Sequence, residues 1–232
     1  SSAINAGNSI FGIRTNRNSM GMELLCALLG KAPYFGLMTD EGRMAKWLID
    51  VRTSGEPDWG VLGGAIGEKC IEDVPYIAGV DEYLDGEITP QNLHKLKAMG
   101  SATASSGGVG LYHVENLTPE AKEKGKKLLA EGYQTYVIDD AEIERVRSNY
   151  PNLWPKEEKK PTAANIGCPH NTYQEVVNWG TRIAEELDKR GLKKIALPTQ
   201  LFQSRVVSDH FMTSHPETYA KLFAAGVRFS NT

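Results

Sequence analysis

The sequence has no excess of basic residues, no long apolar run and no low-complexity tract. Lys and Arg total 26 against 29 Asp and Glu, which gives a formal net charge of -3. A nucleic-acid surface needs a basic excess, so the charge argues against nucleic acid as a partner. No apolar stretch approaches the roughly 18 residues of a membrane span, so we expect no membrane partner. The hydrophobic content of 41% is that of an ordinary globular protein.

Cysteine is scarce: the sequence contains Cys26, Cys70 and Cys168. An odd number at wide spacing, without a secretory leader, argues against a disulfide framework and favours a reducing compartment, so we expect the cytoplasm. No pair lies within CxxC range, which excludes a zinc finger. Cys26 lies among leucines and is predicted to be a core residue, and Cys70 near a helix end is also predicted to be structural.

The two ends of the sequence also lack expected features. The first residue is Ser1 rather than Met, and the pattern of residues 226–232 is typical of a buried strand that stops abruptly. We therefore expect the sequence to be an excised segment of a longer protein.

Strand-like and helix-like segments alternate, which predicts an α/β fold with parallel or mixed sheets covered by helices. The proline-containing, charged segment 151–162 is predicted to be a linker between a first lobe, residues 1–150 with anion-binding loops, and a second βα lobe, residues 163–232. Strands are predicted at residues 46–51, 75–79, 135–138, 163–166, 194–197 and 226–232. Helices are predicted at residues 22–29, 60–69, from Thr89-Pro90 onward, 118–131, 141–148, 172–189, 202–212 and 216–225.

Two stretches combine glycine with hydrogen-bonding side chains. Residues 6–17 contain two glycines, amides, hydroxyls and two arginines, a mixture that suits an anion site because a guanidinium can hold a carboxylate or phosphate through two hydrogen bonds. Residues 101–113 contain serines, glycines and His113, a possible acid, base or donor. For the first stretch an exposed polar loop is an equally open interpretation. For the second, close backbone packing is also open, and for His113 itself a satisfied, half-buried side chain is the favoured interpretation.

A third glycine-rich stretch, residues 60–67, resembles a phosphate loop superficially. No Lys-Ser or Lys-Thr pair follows it, so tight packing of a helix explains the glycines better.

The segment Gly167-Cys168-Pro169-His170 precedes a clearly marked helix start. Thr172 and Glu175 form a predicted capping box, and apolar residues then recur at helical spacing. The positive field of a helix N-terminus favours a thiolate, so Cys168 is predicted to be a metal ligand or a nucleophile rather than an inert thiol.

In their order along the chain, these motifs resemble the large catalytic subunit of the aconitase X family. The resemblance spans essentially the whole sequence. It rests on Asn8-Ser9 with Gly12, residues 14–17, Ser105-Ser106-Gly107 with His113, residues 167–170, and the last strand ending in Asn231-Thr232.

The resemblance implies a hydro-lyase in which an iron–sulfur cluster held by cysteines acts on a substrate hydroxyl. Activities in the family include dehydration of cis-3-hydroxy-L-proline and of mevalonate 5-phosphate, both of which are small anionic substrates. By resemblance, the metal ligand is Cys168, the catalytic residues are Ser105, Ser106 and His170, and the substrate-binding residues are Asn8, Ser9, Arg14, Thr15, Asn16, Arg17 and His113.

The sequence departs from the family pattern at its ends. The resemblance implies further cysteine ligands before the Asn8-Ser9 motif and just after Thr232, and a small swivelling subunit or fused domain as partner. A cluster generally needs three or four protein ligands, so we expect this segment by itself to hold no cluster and to have no dehydratase activity.

Two other classes of function stay open at this point. One is an anion- or nucleotide-binding α/β module in which Cys168 is incidental. The other is a cysteine hydrolase that uses Cys168 with His113 or His170.

Overall fold

The computed structural model describes residues 2–151 and 160–231, so most of the predicted linker, residues 152–159, lies outside the described residues. The chain divides into two compact units, Ser1–Tyr150 and Pro151–Thr232. Each contains parallel strands covered by helices, which confirms the predicted α/β class. Within the described ranges, no helix is both long and apolar enough to cross a bilayer.

The first unit is built on a four-stranded parallel sheet. Its helices are α1 (Ser2–Ser9), α2 (Met20–Leu29), α3 (Trp59–Cys70), α4 (Leu93–Ser106), α5 (Pro119–Lys124) and α6 (Asp140–Asn149). Its strands are β1 (Ala45–Arg52), β2 (Pro75–Ala78), β3 (His113–Val114) and β4 (Leu129–Asp139), in the order β3-β2-β1-β4.

Helices α3 and α4 pack closely because glycines line their contact. A Cβ added at Gly63 would lie 2.3 Å from the Met99 carbonyl oxygen, and one at Gly67 would lie 2.8 Å from the Thr103 carbonyl oxygen. Real Cβ atoms do not approach backbone so closely. The structure therefore confirms tight helix packing, rather than a phosphate loop, as the reason for the glycines in residues 60–67.

The second unit contains a three-stranded parallel sheet. Its elements are β5 (Ala164–Asn171), α7 (Tyr173–Lys189), β6 (Thr199–Gln203), α8 (Arg205–Ser214), α9 (Pro216–Ala225) and β7 (Val227–Asn231), and the strand order is β5-β6-β7. Its core contains Val176, Leu201, Phe211, Leu222 and Val227. The predicted capping box of α7 is confirmed, since Thr172 and Glu175 exchange both hydrogen bonds.

Three of the predicted elements are wrong. Residues 194–197 form no strand, and the strand lies instead at Thr199–Gln203. The helix from Pro119 ends at Lys124, because Gly125 has a positive φ and the chain then pairs as β4 with β1. The Thr89-Pro90 pair forms a turn, in which Asn92 Oδ1 accepts from the Thr89 amide, and α4 begins at Leu93.

The prediction that Cys26 is a core residue is also wrong. Cys26 lies in α2, where no residue is buried and Leu24, Leu25 and Leu28 are exposed. The helix is capped at both ends, by the Ser19 hydroxyl and by Gly30 in the left-handed conformation. Its apolar composition predicted burial, but composition does not say which surface covers a helix.

Candidate functional site

The two small-residue stretches of the first unit meet in space. Three buried polar side chains near the end of α1 contact the backbone just before β3. The hydrogen bonds are Asn5 Nδ2 to the Val109 oxygen (3.0 Å), Asn8 Nδ2 to the Gly110 oxygen (3.0 Å) and the Tyr112 amide to Ser9 Oγ (3.0 Å). Residues more than a hundred positions apart therefore form one substructure.

The Asn8 side chain stabilises the loop that follows α1. Its Oδ1 accepts from the Thr15 amide at 3.0 Å, and its Nδ2 donates to the Thr15 oxygen at 2.9 Å. Both Asn8 and Ser9 are buried, and their polar atoms bond to the backbone. Their observed contacts shape the loop, and their contact with a substrate stays a prediction.

The next residues of the loop lie nearer the surface. Asn16 donates through Nδ2 to the Phe35 oxygen and accepts at Oδ1 from the Leu37 amide, so it attaches the loop to residues 35–37. The Thr15 hydroxyl accepts from the Arg17 amide at 3.3 Å. Thr15, Asn16 and Arg17 are half-buried, and their contact with a substrate stays a prediction.

The two predicted anion clamps have different surroundings. The Arg14 guanidinium is paired with Asp40 and lies 3.6 Å from Glu120, and the hydrogen bond to Asp40 raises the pKa of Arg14. Arg17 donates to the Gly108 oxygen at 2.6 Å, and no carboxylate of the described residues lies within 4.0 Å of it. Arg14 is therefore paired with carboxylates, whereas Arg17 lies beside the glycine-rich backbone without an ion-pair partner among the described residues.

A buried arginine that the sequence analysis missed lies beneath this loop. Arg43 is 1% exposed and donates to both carboxylate oxygens of Glu120, at 3.0 and 2.8 Å. Its remaining donors reach the backbone oxygens of Asn8, Ile13 and Leu37. Arg43 is part of an ordinary polar segment, so nothing in the sequence indicated its burial.

His113 lies on the other side of Arg43 and is buried as well. Its Nε2 bonds to the Arg43 carbonyl at 2.9 Å, and its Nδ1 is 3.9 Å from the Glu120 carboxylate. Burial lowers the pKa of His113, which favours the neutral ring. His113 is 1% exposed, and its place in the binding site, or as the base of a hydrolase, stays a prediction.

Ser105 and Ser106 lie in the last turn of α4. Their hydroxyls donate to the Ala102 oxygen, and Ser106 Oγ also lies 3.1 Å from the Gly64 oxygen. These bonds are typical of serine within a helix. Both residues are exposed, and their catalytic role stays a prediction.

The location of this substructure is unusual for a parallel sheet. Tyr112 directly precedes β3 and Arg43 lies just before β1, so the contact is at the amino-terminal edge of the sheet. Open α/β sheets ordinarily bind ligands at the carboxyl edge. Here that edge has a cavity of about 370 Å³ lined by Glu56, Asp58, Asp140, Glu144 and the single arginine Arg147, which disfavours an anion.

In the second unit, residues 167–170 bulge out of the sheet. Ile166 pairs with Leu201, and the next pair is Asn171 with Gln203. Four residues of β5 therefore lie opposite a single residue of β6, Phe202. Gly167 has a φ of 126°, and a Cβ there would lie 2.4 Å from the Phe202 oxygen. The bulge leaves Cys168 and His170 exposed at the carboxyl edge, where ligands of parallel sheets commonly bind.

A buried polar cluster that the sequence analysis also missed lies at the same edge. Gln203 Nε2 donates to Ser208 Oγ at 2.8 Å, and Ser208 Oγ donates to Asn231 Oδ1 at 2.6 Å. Asn171 Nδ2 joins the Ile166 and Phe202 oxygens across the bulge. The Gln203 Oε1 atom is buried and has no hydrogen-bond partner within the described chain.

The donor set of this chain does not by itself fit an iron–sulfur cluster. Cys168 is an exposed thiol, but residues 2–151 and 160–231 contain no group of three His, Cys, Asp or Glu side chains placed to hold a metal ion. A cluster needs three or four protein ligands. Further ligands would have to come from outside the described residues.

The cysteines are expected to differ sharply in reactivity. Cys168 is exposed, whereas Cys70 is buried and burial raises its pKa to about 12. In a short iodoacetamide pulse at pH 8, we expect carbamidomethylation of Cys168 within minutes and of Cys70 only after unfolding in urea. Peptide mass spectrometry measures both, and rapid modification of native Cys70 would contradict the packing of α3.

The comparisons with known proteins agree with this structure. The family model described as the aconitase X second domain matches residues 45–148. The phosphomevalonate dehydratase large subunit of Thermococcus kodakarensis is 34% identical over 209 residues, which are 89% of this chain and 49% of that protein. The cis-3-hydroxy-L-proline dehydratase of Pseudomonas aeruginosa is 36% identical over 126 residues, 53% of this chain and 21% of that protein.

A solved structure matches the complete chain. The crystal structure of Thermococcus kodakaraensis aconitase X in its holo-form superposes with a TM-score of 0.75 and 28% identity, covering 100% of this chain and 54% of that one. The chain thus spans about half the length of the large-subunit relatives it matches. From the order of the motifs, the domain model and the fold, the chain belongs to the aconitase X family.

Proposed function

We propose that this chain is the part of an aconitase X hydro-lyase that binds the anionic group of the substrate and supplies one metal ligand. The observation that carries the proposal is the meeting of residues 8–17 with residues 108–112, where the Arg17 guanidinium lies beside glycine backbone without an ion-pair partner among the described residues. A guanidinium in such a place suits a carboxylate or phosphate.

The substrate we propose is mevalonate 5-phosphate. Five phosphomevalonate dehydratase large subunits match 82% or more of this chain, whereas two cis-3-hydroxy-L-proline dehydratases match 53% and 76% of it. The reaction eliminates water: a proton leaves one carbon, the hydroxyl leaves its neighbour, and a carbon–carbon double bond forms. cis-3-Hydroxy-L-proline is the second candidate substrate, favoured by the 36% identity in the shorter match.

Cys168 would be one ligand of an iron–sulfur cluster in the complete enzyme, and such a cluster would supply Lewis-acid chemistry for the loss of the substrate hydroxyl. Its exposed position in a bulge at the carboxyl edge supports this role. The partner we propose is the small subunit implied by the name of the relatives, and the compartment is the cytoplasm. The chain's own contribution is to bind and orient the anion.

The test is an assay of the complete enzyme, purified without oxygen together with its small subunit. Proton NMR is expected to show loss of the substrate signals of mevalonate 5-phosphate and the appearance of a vinylic proton, with no such change for unphosphorylated mevalonate. Turnover of cis-3-hydroxy-L-proline instead would favour the second candidate. Turnover of neither, in an enzyme with a full complement of iron and sulfide, would overturn the proposed hydro-lyase.

A further inference from the structure

We propose that Arg43 is a positioning residue of this enzyme: with Glu120, it holds the loop of residues 8–16 so that the Arg17 guanidinium is presented to the substrate anion. The inference rests on the proposed function for its substrate. It assigns a role to a residue that touches neither substrate nor metal.

The first argument is the number of loop contacts that converge on one side chain. The guanidinium of Arg43 donates from Nη2 to the Asn8 oxygen at 3.0 Å, and from Nη1 to the Leu37 oxygen at 3.1 Å and the Ile13 oxygen at 3.4 Å. Asn8 and Ile13 lie on either side of Gly12 in the loop, and Leu37 belongs to the segment of residues 35–37 to which Asn16 is attached. The Arg43 guanidinium thus holds the backbone at three positions, two in the loop of residues 8–16 and one at Leu37.

The second argument is charge. Burying a guanidinium is costly unless a carboxylate compensates it. Glu120 does so, since Arg43 Nε donates to both of its carboxylate oxygens and Nη2 lies 2.8 Å from Oε2 in an ion pair. The same carboxylate lies 3.6 Å from Arg14. Glu120 therefore compensates both structural arginines, and Arg17 keeps the positive charge that an anion needs.

The third argument is that the Arg43 backbone contacts the second stretch, at the start of β3. The Arg43 carbonyl oxygen accepts from His113 Nε2, assigned here as the N–H because the carbonyl cannot donate. His113 begins β3, directly after the residues that Asn8 and Ser9 contact. Arg43 thus contacts both segments that meet here: its side chain contacts residues 8–16, and its backbone contacts His113.

The test compares Arg43→Lys with Arg145→Lys in the complete enzyme. Lysine keeps the positive charge, but its single ammonium group cannot reproduce the spread of hydrogen bonds that the planar guanidinium makes. Arg145 is the matched control, because it also bonds both oxygens of a glutamate, Glu142, but lies exposed on α6, far along the chain from the loop. For Arg43→Lys we expect the KM for mevalonate 5-phosphate to rise about tenfold with kcat changed less than about threefold, the pattern of lost binding to an ionic group.

Hydrogen exchange supplies a readout that does not depend on turnover. In Arg43→Lys, the amides of residues 8–17 are expected to exchange at least about tenfold faster, with β1 amides unchanged, because only the loop loses its support. A lower kcat at unchanged KM, with faster exchange throughout the unit, would reduce Arg43 to a stabilising residue and overturn the proposal. Equal KM and equal loop exchange in the two variants would also overturn it.

A second variant, Glu120→Gln, tests the proposal if Arg43→Lys does not fold. Glu120→Gln keeps an oxygen that accepts from Arg43 while removing the charge, so a smaller rise in KM and a smaller gain in loop exchange are expected. Unchanged values in Glu120→Gln would overturn the proposal. If the wild-type enzyme does not dehydrate the substrate, the proposed function fails, and the exchange experiment still decides whether Arg43 positions the loop.

Discussion

Replacing Cys168 with serine is expected to lower dehydratase activity of the complete enzyme by more than about a hundredfold. Loss of groups that only support metal ligands already lowers affinity or activity about 10- to 100-fold, and a direct ligand should matter more. The side chain is exposed in the bulge of β5, so serine should change the free energy of unfolding of the cluster-free protein by no more than about 0.5 kcal/mol. The measurements are initial rates, bound iron and sulfide per chain, and thermal unfolding.

The matched control for this prediction is Cys26→Ser. Cys26 lies in α2, where no residue is buried and where we place no role in binding or catalysis. Its serine variant is expected to keep full activity and iron content. Equal activity of the two variants would instead favour an anion-binding role for the chain in which Cys168 is incidental. Covalent capture of Cys168 by an ester substrate would favour a hydrolase.

Replacing Gly63 with alanine is expected to destabilise the first unit by about 2 kcal/mol, the net of overpacking and helix propensity. The added Cβ would lie 2.3 Å from the Met99 oxygen and 2.7 Å from the Ala102 Cβ, so α3 and α4 must move apart. Overpacking of this kind typically costs about 1–3 kcal/mol, and here the obstacle is backbone rather than a mobile side chain. Helix propensity favours alanine over glycine by about 1 kcal/mol, which offsets only part of the loss.

Urea unfolding monitored by circular dichroism measures this effect, with Gly60→Ala as the control on the same helix. A Cβ at Gly60 would have its nearest neighbour, Asp58 Oδ1, at 3.4 Å, which is close to ordinary contact. The Gly60→Ala variant is therefore expected to be as stable as the wild type or slightly more so. Equal stability of the two variants would contradict the close approach of α3 and α4.

Local signals in the sequence predicted the elements whose ends are determined locally. The capping box at Thr172 located the start of α7, and alternation of strands and helices gave the parallel class. The predicted helix over residues 118–131 failed because pairing with β1 outweighs the helical pattern after Gly125. The pattern of residues 194–197 predicted a strand at those positions. The paired strand instead begins at Thr199, directly after Pro198.

The candidate site was predictable in composition but not in detail. Glycines, amides and arginines in residues 6–17 predicted an anion loop, and the resemblance selected the same segment. Which arginine is neutralised depends on Asp40 and Glu120, which no sequence spacing connects to Arg14. The burial of Arg43 and His113 likewise depends on contacts between distant segments.

The contact of Asn5 with Val109 and of Asn8 with Gly110 has a consequence for the order of folding. These bonds join residues 104 and 102 positions apart, and contacts of such high sequence separation form late because a long loop must close first. At a synthesis rate of about 5–20 residues per second, α1 leaves the ribosome roughly 5 to 20 s before its partner backbone exists. The bonds that hold the anion loop therefore cannot form until residues 109–112 have been synthesised.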